Sequence, residues 1–294
     1  MVTQLKGTSL KLETQRQYNY WQALVLSFFS DLLYWDVYKR WRGIGLLYLL
    51  LMTWVFCIPF SIKYMIGMDH FFNDVIIKPF QKIPDIPYVS GKLKFDKKMP
   101  YFIKNDRGQV ETILDNTGSI KKFDQSTYPS LRFLFLDDRV YYTIPDAFKY
   151  FEDRDYQRVT EVKEIKMPSD TSFVFNGESF LKAYQIRGLK MLTLTVIYPV
   201  VAATYFTVAL IFLLAFAMMG QIVSQTIFKV QLYYKQSCRL LFVASTPAFF
   251  VLQIMAVCGY NRSMMGYVWL ALVATYFSFA IIFVKRNLRS IARL

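Results

Sequence analysis

The sequence predicts an α-helical polytopic membrane protein. It would have four transmembrane helices, both termini cytoplasmic, and an inserted small, mainly β extracytoplasmic domain. Three observations carry this. Four stretches are apolar over the roughly 20 residues that a helix needs to cross a bilayer. Lys and Arg gather beside alternate ends of those stretches, as cytoplasmic flanks do. Between the first two stretches lie residues 67–188, where short β-branched and aromatic runs alternate with Pro, Asn and Gly.

Composition removes the competing classes. The 294 residues are 54% hydrophobic and 18% aromatic, with 12 Gly and 10 Pro, which excludes a disordered or collagen-like chain. Three cysteines cannot build a disulfide framework. The net charge of +14 suggests nucleic acid until it is divided by region. Residues 67–190 hold 20 Lys and Arg against 18 Asp and Glu, whereas the rest holds 15 against 3. The excess belongs to the membrane flanks, where anionic headgroups attract it. Nucleic acid is therefore not an expected partner.

The elements follow in order. Residues 1–43 form a cytoplasmic segment with Lys6, Lys11, Arg16, Lys39, Arg40 and Arg42. Within it, Tyr18, Tyr20, Trp21, Phe28, Phe29, Tyr34, Trp35 and Tyr38 form an aromatic run interrupted by Asp31 and Asp36. This reads as an interfacial amphipathic helix, with a re-entrant segment as the alternative. Residues 44–66 are the first span, broken only by Pro59 and Lys63; no small-residue cleavage site follows, so it should act as a signal anchor. Lys63 is expected to snorkel to the outer interface.

In the outer domain, Lys92–Phe95, Tyr101–Lys104, Val110–Leu114, Ser119–Phe123, Val140–Ile144 and Thr171–Phe175 read as strands. Pro145–Glu152 reads as a short helix, and Asn176 as the cap of the helix that leads into the second span. That span is 189–219, tilted or kinked near Pro199, because the apolar run to Phe228 is too long for one perpendicular crossing. Residues 220–239 form a cytoplasmic amphipathic connection. Spans three and four are 240–258 and 267–284, and 285–294 is a basic tail.

Three stretches resemble a bacterial family of integral membrane proteins named as a domain of unknown function, which includes the maltodextrin-utilisation MalA-like proteins. They are Arg42-Gly43-Ile44-Gly45 before the first span; Pro100-Tyr101 with Asp115-Asn116-Thr117-Gly118 in the outer domain; and Tyr234, Arg239, Thr246 and Pro247 around the start of the third span. Asn116 departs from the family's more frequent Thr. The resemblance implies the architecture and supplies little chemistry.

Candidate chemistry is sparse. His70 is the single histidine, so neither a zinc site nor a Ser-His-Asp or Cys-His arrangement has its usual partners, and an interfacial residue is favoured. Cys57, Cys238 and Cys258 read as apolar packing. Asp137-Asp138 and Glu152-Asp153-Arg154-Asp155 lack calcium-loop spacing and read as salt-bridged turns. Asp115 with Thr117 and Gly118 reads as an Asx turn before a catalytic aspartate. From Met191 onward there is no Asp or Glu, which argues against ion-coupled transport by this chain alone. Thr193, Thr195, Thr204 and Thr207 are read as helix–helix hydrogen-bonding groups. Arg239 marks the cytoplasmic end of span three or holds a lipid phosphate; with Gln221, Trp21 and Trp35 it is a candidate lipid or partner contact.

The expected protein is a non-enzymatic accessory or scaffold subunit of the bacterial inner membrane. It needs no metal or cofactor, and its partners are lipids and another membrane or periplasmic protein. The alternative is a component of a lipid or maltodextrin-like solute transport system.

Overall fold

The computed structural model describes residues 16–144, 161–168, 172–260 and 262–291. The chain divides into two compact units, residues 1–63 with 198–294, and residues 64–197.

The first unit is helical. Three helices are long and apolar enough to cross a membrane, or four if one bent pair counts as a single span. Two short helices come first, α1 (Tyr20–Leu26) and α2 (Asp31–Lys39). The bent pair is α3 (Leu46–Phe56) with α4 (Ile58–Phe71), which turn by 43° at Cys57. The sequence predicts one span at 44–66, interrupted only by Pro59 and Lys63. Pro59 explains the break, because it has no N–H to offer the carbonyl of Val55, while the Cys57 N–H still bonds the Thr53 carbonyl four residues back at 3.0 Å. The second half also runs beyond residue 66, through a π-helical turn (Phe72–Ile77) into α5 (Lys78–Lys82) of the other unit.

Beyond the other unit, α7 (Ile186–Thr226) is one helix of 41 residues. It continues through Pro199 and past Met219, where the sequence reading began a separate connection at 220–239. Nothing in 220–226 breaks a helix: Gly220 faces inward, and a Cβ there would lie 2.7 Å from the Phe277 ring. The helix stops before Lys229, which adopts φ 57°. The threonines at 195, 204 and 207 are exposed and Thr193 is half-buried, and each donates to the carbonyl four residues earlier in its own helix. They are self-satisfied rather than bonded across helices, as a lipid-facing hydroxyl must be.

Next come α8 (Tyr234–Ala244) and α9 (Thr246–Cys258), nearly continuous across Ser245 with Pro247 at the joint, then α10 (Arg262–Ile291). Both α8 and α10 overrun the predicted spans 240–258 and 267–284. Side-chain contacts show how the rods run. Gly45 lies against Arg239 and Phe242, the Tyr48 hydroxyl is 2.6 Å from Thr246 Oγ1, and Gln253 reaches toward the Cys57 sulfur. Finally, Lys63 Nζ donates to the carbonyls of Ala256 and Val257 at the end of α9. Residue numbers rise together on both sides, so α3–α4 and α8–α9 run parallel. Lys63 thus works as a helix C-terminal cation, with its ammonium exposed.

The second unit holds two sheets. A five-stranded sheet has the order β3-β4-β5-β6-β7, from Tyr101–Lys104, Val110–Asp115, Phe133–Leu136, Arg139–Tyr142 and Lys163–Lys166. All its neighbours are antiparallel except β4 and β5. A three-stranded sheet has the order β2-β1-β8, from Lys92–Leu93, Ile86–Val89 and Phe173–Phe175. One core combines Phe80, Ile86, Leu114, Phe133, Phe135 and Leu181; a second, on the other face of the large sheet, holds Ile113, Leu131 and Leu134. Asn176 caps α6 (Gly177–Ala183) by accepting the Ser179 N–H at 2.7 Å.

Strand β5 was not expected, since Phe133–Leu136 is buried on both faces and shows no alternation. Strand β7 (Lys-Glu-Ile-Lys) is an exposed, charged edge that lacks any strand composition. Ser119–Phe123 is not a strand, because Asp115 folds that segment back as a turn. The expected helix at Pro145–Glu152, the cluster Glu152–Asp155 and Thr171 lie outside the described residues.

Candidate functional site

The most elaborately built place in the helical unit is where the N-terminal segment meets α3 and α8. Asn19 and Gln22 form a reciprocal capping box, with Asn19 Oδ1 accepting the Gln22 N–H at 2.8 Å and Gln22 Oε1 accepting the Asn19 N–H at 3.0 Å. Ser30 caps α2. Behind these caps sits the fully buried carboxylate of Asp36. It accepts the backbone N–H groups of Gln17 and Tyr18, the indole N–H of Trp41 at 3.2 Å and the Arg40 guanidinium at 3.2 Å. A buried charge is tolerated when its lone pairs are all engaged, and Asp36 meets that condition.

Arg239 is the complementary cation. It projects from α8 and is buried, and its Nη1 and Nη2 donate to the carbonyls of Trp41 and Tyr38. Those are the last carbonyls around the end of α2, where a positive charge also opposes the helix dipole. Its Nε is buried without a hydrogen-bond partner. Gly45 is called for by its φ of +86°, and it sits beside this side chain, since a Cβ there would stand 3.4 Å from Arg239 Cβ, an ordinary contact. Arg239 therefore holds backbone through both of its Nη atoms.

The structure gathers several residues that the resemblance singled out. Arg42, Gly43 and Gly45 form the turn from α2 into α3, against Arg239. Thr246 bonds Tyr48, Pro247 marks the α8–α9 joint, and the Tyr234 hydroxyl donates to the Leu214 carbonyl. Of the lipid-contact candidates, Trp21 is 62% exposed, and Trp35 is half-buried with its ring 5.6 Å from that of Tyr38. Gln221 lies half-buried on α7.

Beside this junction is a cavity of about 670 Å³, lined by residues 16–22, Leu47 and Leu51. Its polar side is Arg16, Gln17, Asn19 and Gln22; its apolar side is Trp21 and the two leucines. The Arg16 guanidinium lies 4.6 Å from the centre of the Tyr20 ring. The sequence reading noted the aromatics but missed Asp36, Tyr48 and this cavity. An acid in an aromatic run, with Arg40 four residues on, was the available signal.

The other family-like residues are in the sheet unit. Pro100 leads into β3, and Tyr101 pairs with Leu114, which brings it to the end of β4 next to Asp115. Asp115 Oδ1 accepts the N–H and hydroxyl of Thr117 at 2.9 and 2.6 Å, and Oδ2 accepts the Ile120 N–H at 2.6 Å. This is an Asx turn closed by Gly118 at φ +74°. Burial pushes the Asp115 carboxyl up, but hydrogen bonds from Thr117, Ile120 and Ser119 outweigh it and hold the group below the ordinary carboxylate range. Both oxygens are committed to the turn.

Other charges of the sheet unit form ion pairs. Buried Glu111 lies 3.4 Å from Arg132, whose other end donates to the Asp74 carbonyl. Burial raises the Glu111 carboxyl despite that cation. Arg139 forks onto Asp138 and reaches Glu164, so this acid cluster is a salt-bridged turn. His70 is half-exposed, 3.9 Å from Asp74. Among the described residues, no group of three or more His, Cys, Asp or Glu could hold a metal ion.

The sequence profile of a family described as a protein of unknown function, DUF1189, matches residues 21–281, and the chain belongs to that family. No curated protein and no solved structure matches the chain.

Proposed function

We propose that this chain is a non-enzymatic accessory or scaffold subunit of a complex in the bacterial inner membrane. In this reading it has four transmembrane helices, cytoplasmic termini and a periplasmic sheet domain. One observation carries the proposal. In the helical unit the buried charges Asp36 and Arg239 hold the chain's own backbone, while long helix faces are left for other molecules. In the most apolar window of α7 only 22% is buried, and in α10 only 28%, against 61% for α8–α9. An interior that is fastened and a flank that is open suit a protein that docks rather than one that reacts.

The topology has its own support. Parallel α3–α4 and α8–α9 put the starts of α3 and α8 at one end of the helical unit. Tyr34 packs on Phe279 and Tyr234 on Leu214, which brings the later parts of α10 and α7 to that end too. Lys39, Arg40, Arg42, Lys235, Lys285 and Arg286 flank those ends, in keeping with a cytoplasmic face.

Isolation of the full chain from native membranes in mild detergent tests the proposal. A stoichiometric membrane or periplasmic protein should co-purify. A stable monomer without one would count against a scaffold role. The likeness to the maltodextrin-utilisation MalA-like proteins, together with the half-open cavity beside α3, favours the second reading, a component of lipid or maltodextrin-like solute transport. Loss of uptake on deletion, with every membrane complex still assembled, would favour it.

A further inference from the structure

We propose that the cavity between the N-terminal segment and α3 seats one anionic phospholipid, with its phosphate at Arg16 and an acyl chain along Leu47 and Leu51. The lining combines a cation and amides with hydrocarbon, Arg16, Gln17, Asn19 and Gln22 beside Trp21, Leu47 and Leu51, a mixture that suits a phospholipid better than a free anion or a sugar. Arg16 is exposed, rests on the Tyr20 ring, and has no carboxylate within ion-pair reach among the described residues. A guanidinium held by its face keeps its edge donors available for phosphate oxygens. Tyr18, Tyr20 and Trp21 supply the aromatic ring of side chains that sits at headgroup depth.

The apolar wall extends as a track. Leu47, Leu51 and Trp54 are spaced 4 and 3 residues apart, so they share one face of α3. Leu47 is 65% exposed, and Trp54 is also exposed. Seven residues rise about 10 Å, roughly a third of a hydrocarbon core of about 30 Å. The track therefore follows the upper part of one acyl chain. The basic excess outside the sheet unit favours an anionic headgroup. This inference is independent of the scaffold role, since a chain with no protein partner would hold the lipid equally well.

The test is native mass spectrometry of the full-length protein in mild detergent, titrated with phosphatidylglycerol, with phosphatidylcholine, or with inorganic phosphate. One phosphatidylglycerol should bind in preference to phosphatidylcholine. Arg16→Gln should weaken that binding about fivefold, the scale of one surface cation near anionic lipid. Leu47→Trp, which fills the apolar side and keeps the charge, should weaken it as well. Lys285→Gln, in the basic tail, should not. Arg16 and Leu47 are exposed and Lys285 is half-buried, and unchanged thermal unfolding is the folding control for all three variants. Equal retention of the two lipids would overturn the proposal, as would unchanged binding in both cavity variants. Displacement by inorganic phosphate at lipid-like concentration would also overturn it, by reducing the site to an anion site.

Discussion

The helical unit and the sheet unit each bury charge, and they neutralise it differently. In the helical unit, Arg239 has backbone carbonyls for partners, and Asp36 has two backbone amides and an indole beside its one guanidinium. In the sheet unit, Glu111 faces Arg132, and Asp115 is wrapped by its own turn. Helix ends offer unsatisfied carbonyls and amides at predictable places, so a long side chain from a distant helix can find them. A sheet domain has most of its backbone groups committed to ladders, so turns and ion pairs carry more of the neutralisation, with Arg132 reaching the Asp74 carbonyl as well. The lesson is that the Arg239 lock joins segments about 200 residues apart, whereas Asp115 is held within five residues and Arg139 reaches 25.

That contrast can be broken by mutation. The largest effect is expected for Arg239→Leu. It strands two buried carbonyls, at about 1–3 kcal/mol each, and should lower the detergent unfolding midpoint of the helical unit while the sheet unit keeps its protease resistance. Parallel loss in both units would refute the idea of separate locks. Next comes Gly220→Leu, which drives a side chain into Phe277 and should cost about 1–3 kcal/mol, read by the same melting curve.

Asp115→Asn sharpens the other half of the comparison. It should cost the isolated turn about 1–2 kcal/mol near neutral pH, measured as increased hydrogen exchange at Thr117 and Ile120. The sign with pH follows from the depressed carboxyl. Its contribution is complete above the ordinary carboxylate range near pH 4 and is lost as pH falls through the folded value. The acid limb of unfolding should therefore be shallower in the variant. Glu111 acts in the opposite sense, because its folded carboxyl is raised: it favours the folded state most when protonated and less as pH rises through its folded value.

The smallest effect belongs to Gln253→Leu. Gln253 is buried in α9, and its Oε1 has no hydrogen-bond partner. An apolar residue of similar size should be tolerated within about 1 kcal/mol. A loss of several kcal/mol would show that the contact of its Nε2 with the Cys57 sulfur is worth more than its length suggests.

Long apolar runs declared the helices, and Pro59 was visible inside the first of them, but its consequence depends on which carbonyl it deprives. The Asx turn at Asp115 was legible because its donors lie two to five residues away. The partners of Arg239 were not, since they are about 200 residues distant and are backbone atoms, which no residue type announces. Strand β5 was hidden by burial on both faces, and β7 by the charges that protect a sheet edge.

The bond from Arg239 to Tyr38 spans 201 positions, and that distance is also a delay. At about 5–20 residues per second of synthesis, the end of α2 waits on the order of 10–40 s before its cation exists. During that interval α1 and α2, with their exposed Trp21, Val25 and Phe29, have no α8 or α10 to pack against. If the segment rests on lipid in that interval, as its aromatics suit it to do, it is a lodger there before it becomes the closing piece of its own bundle.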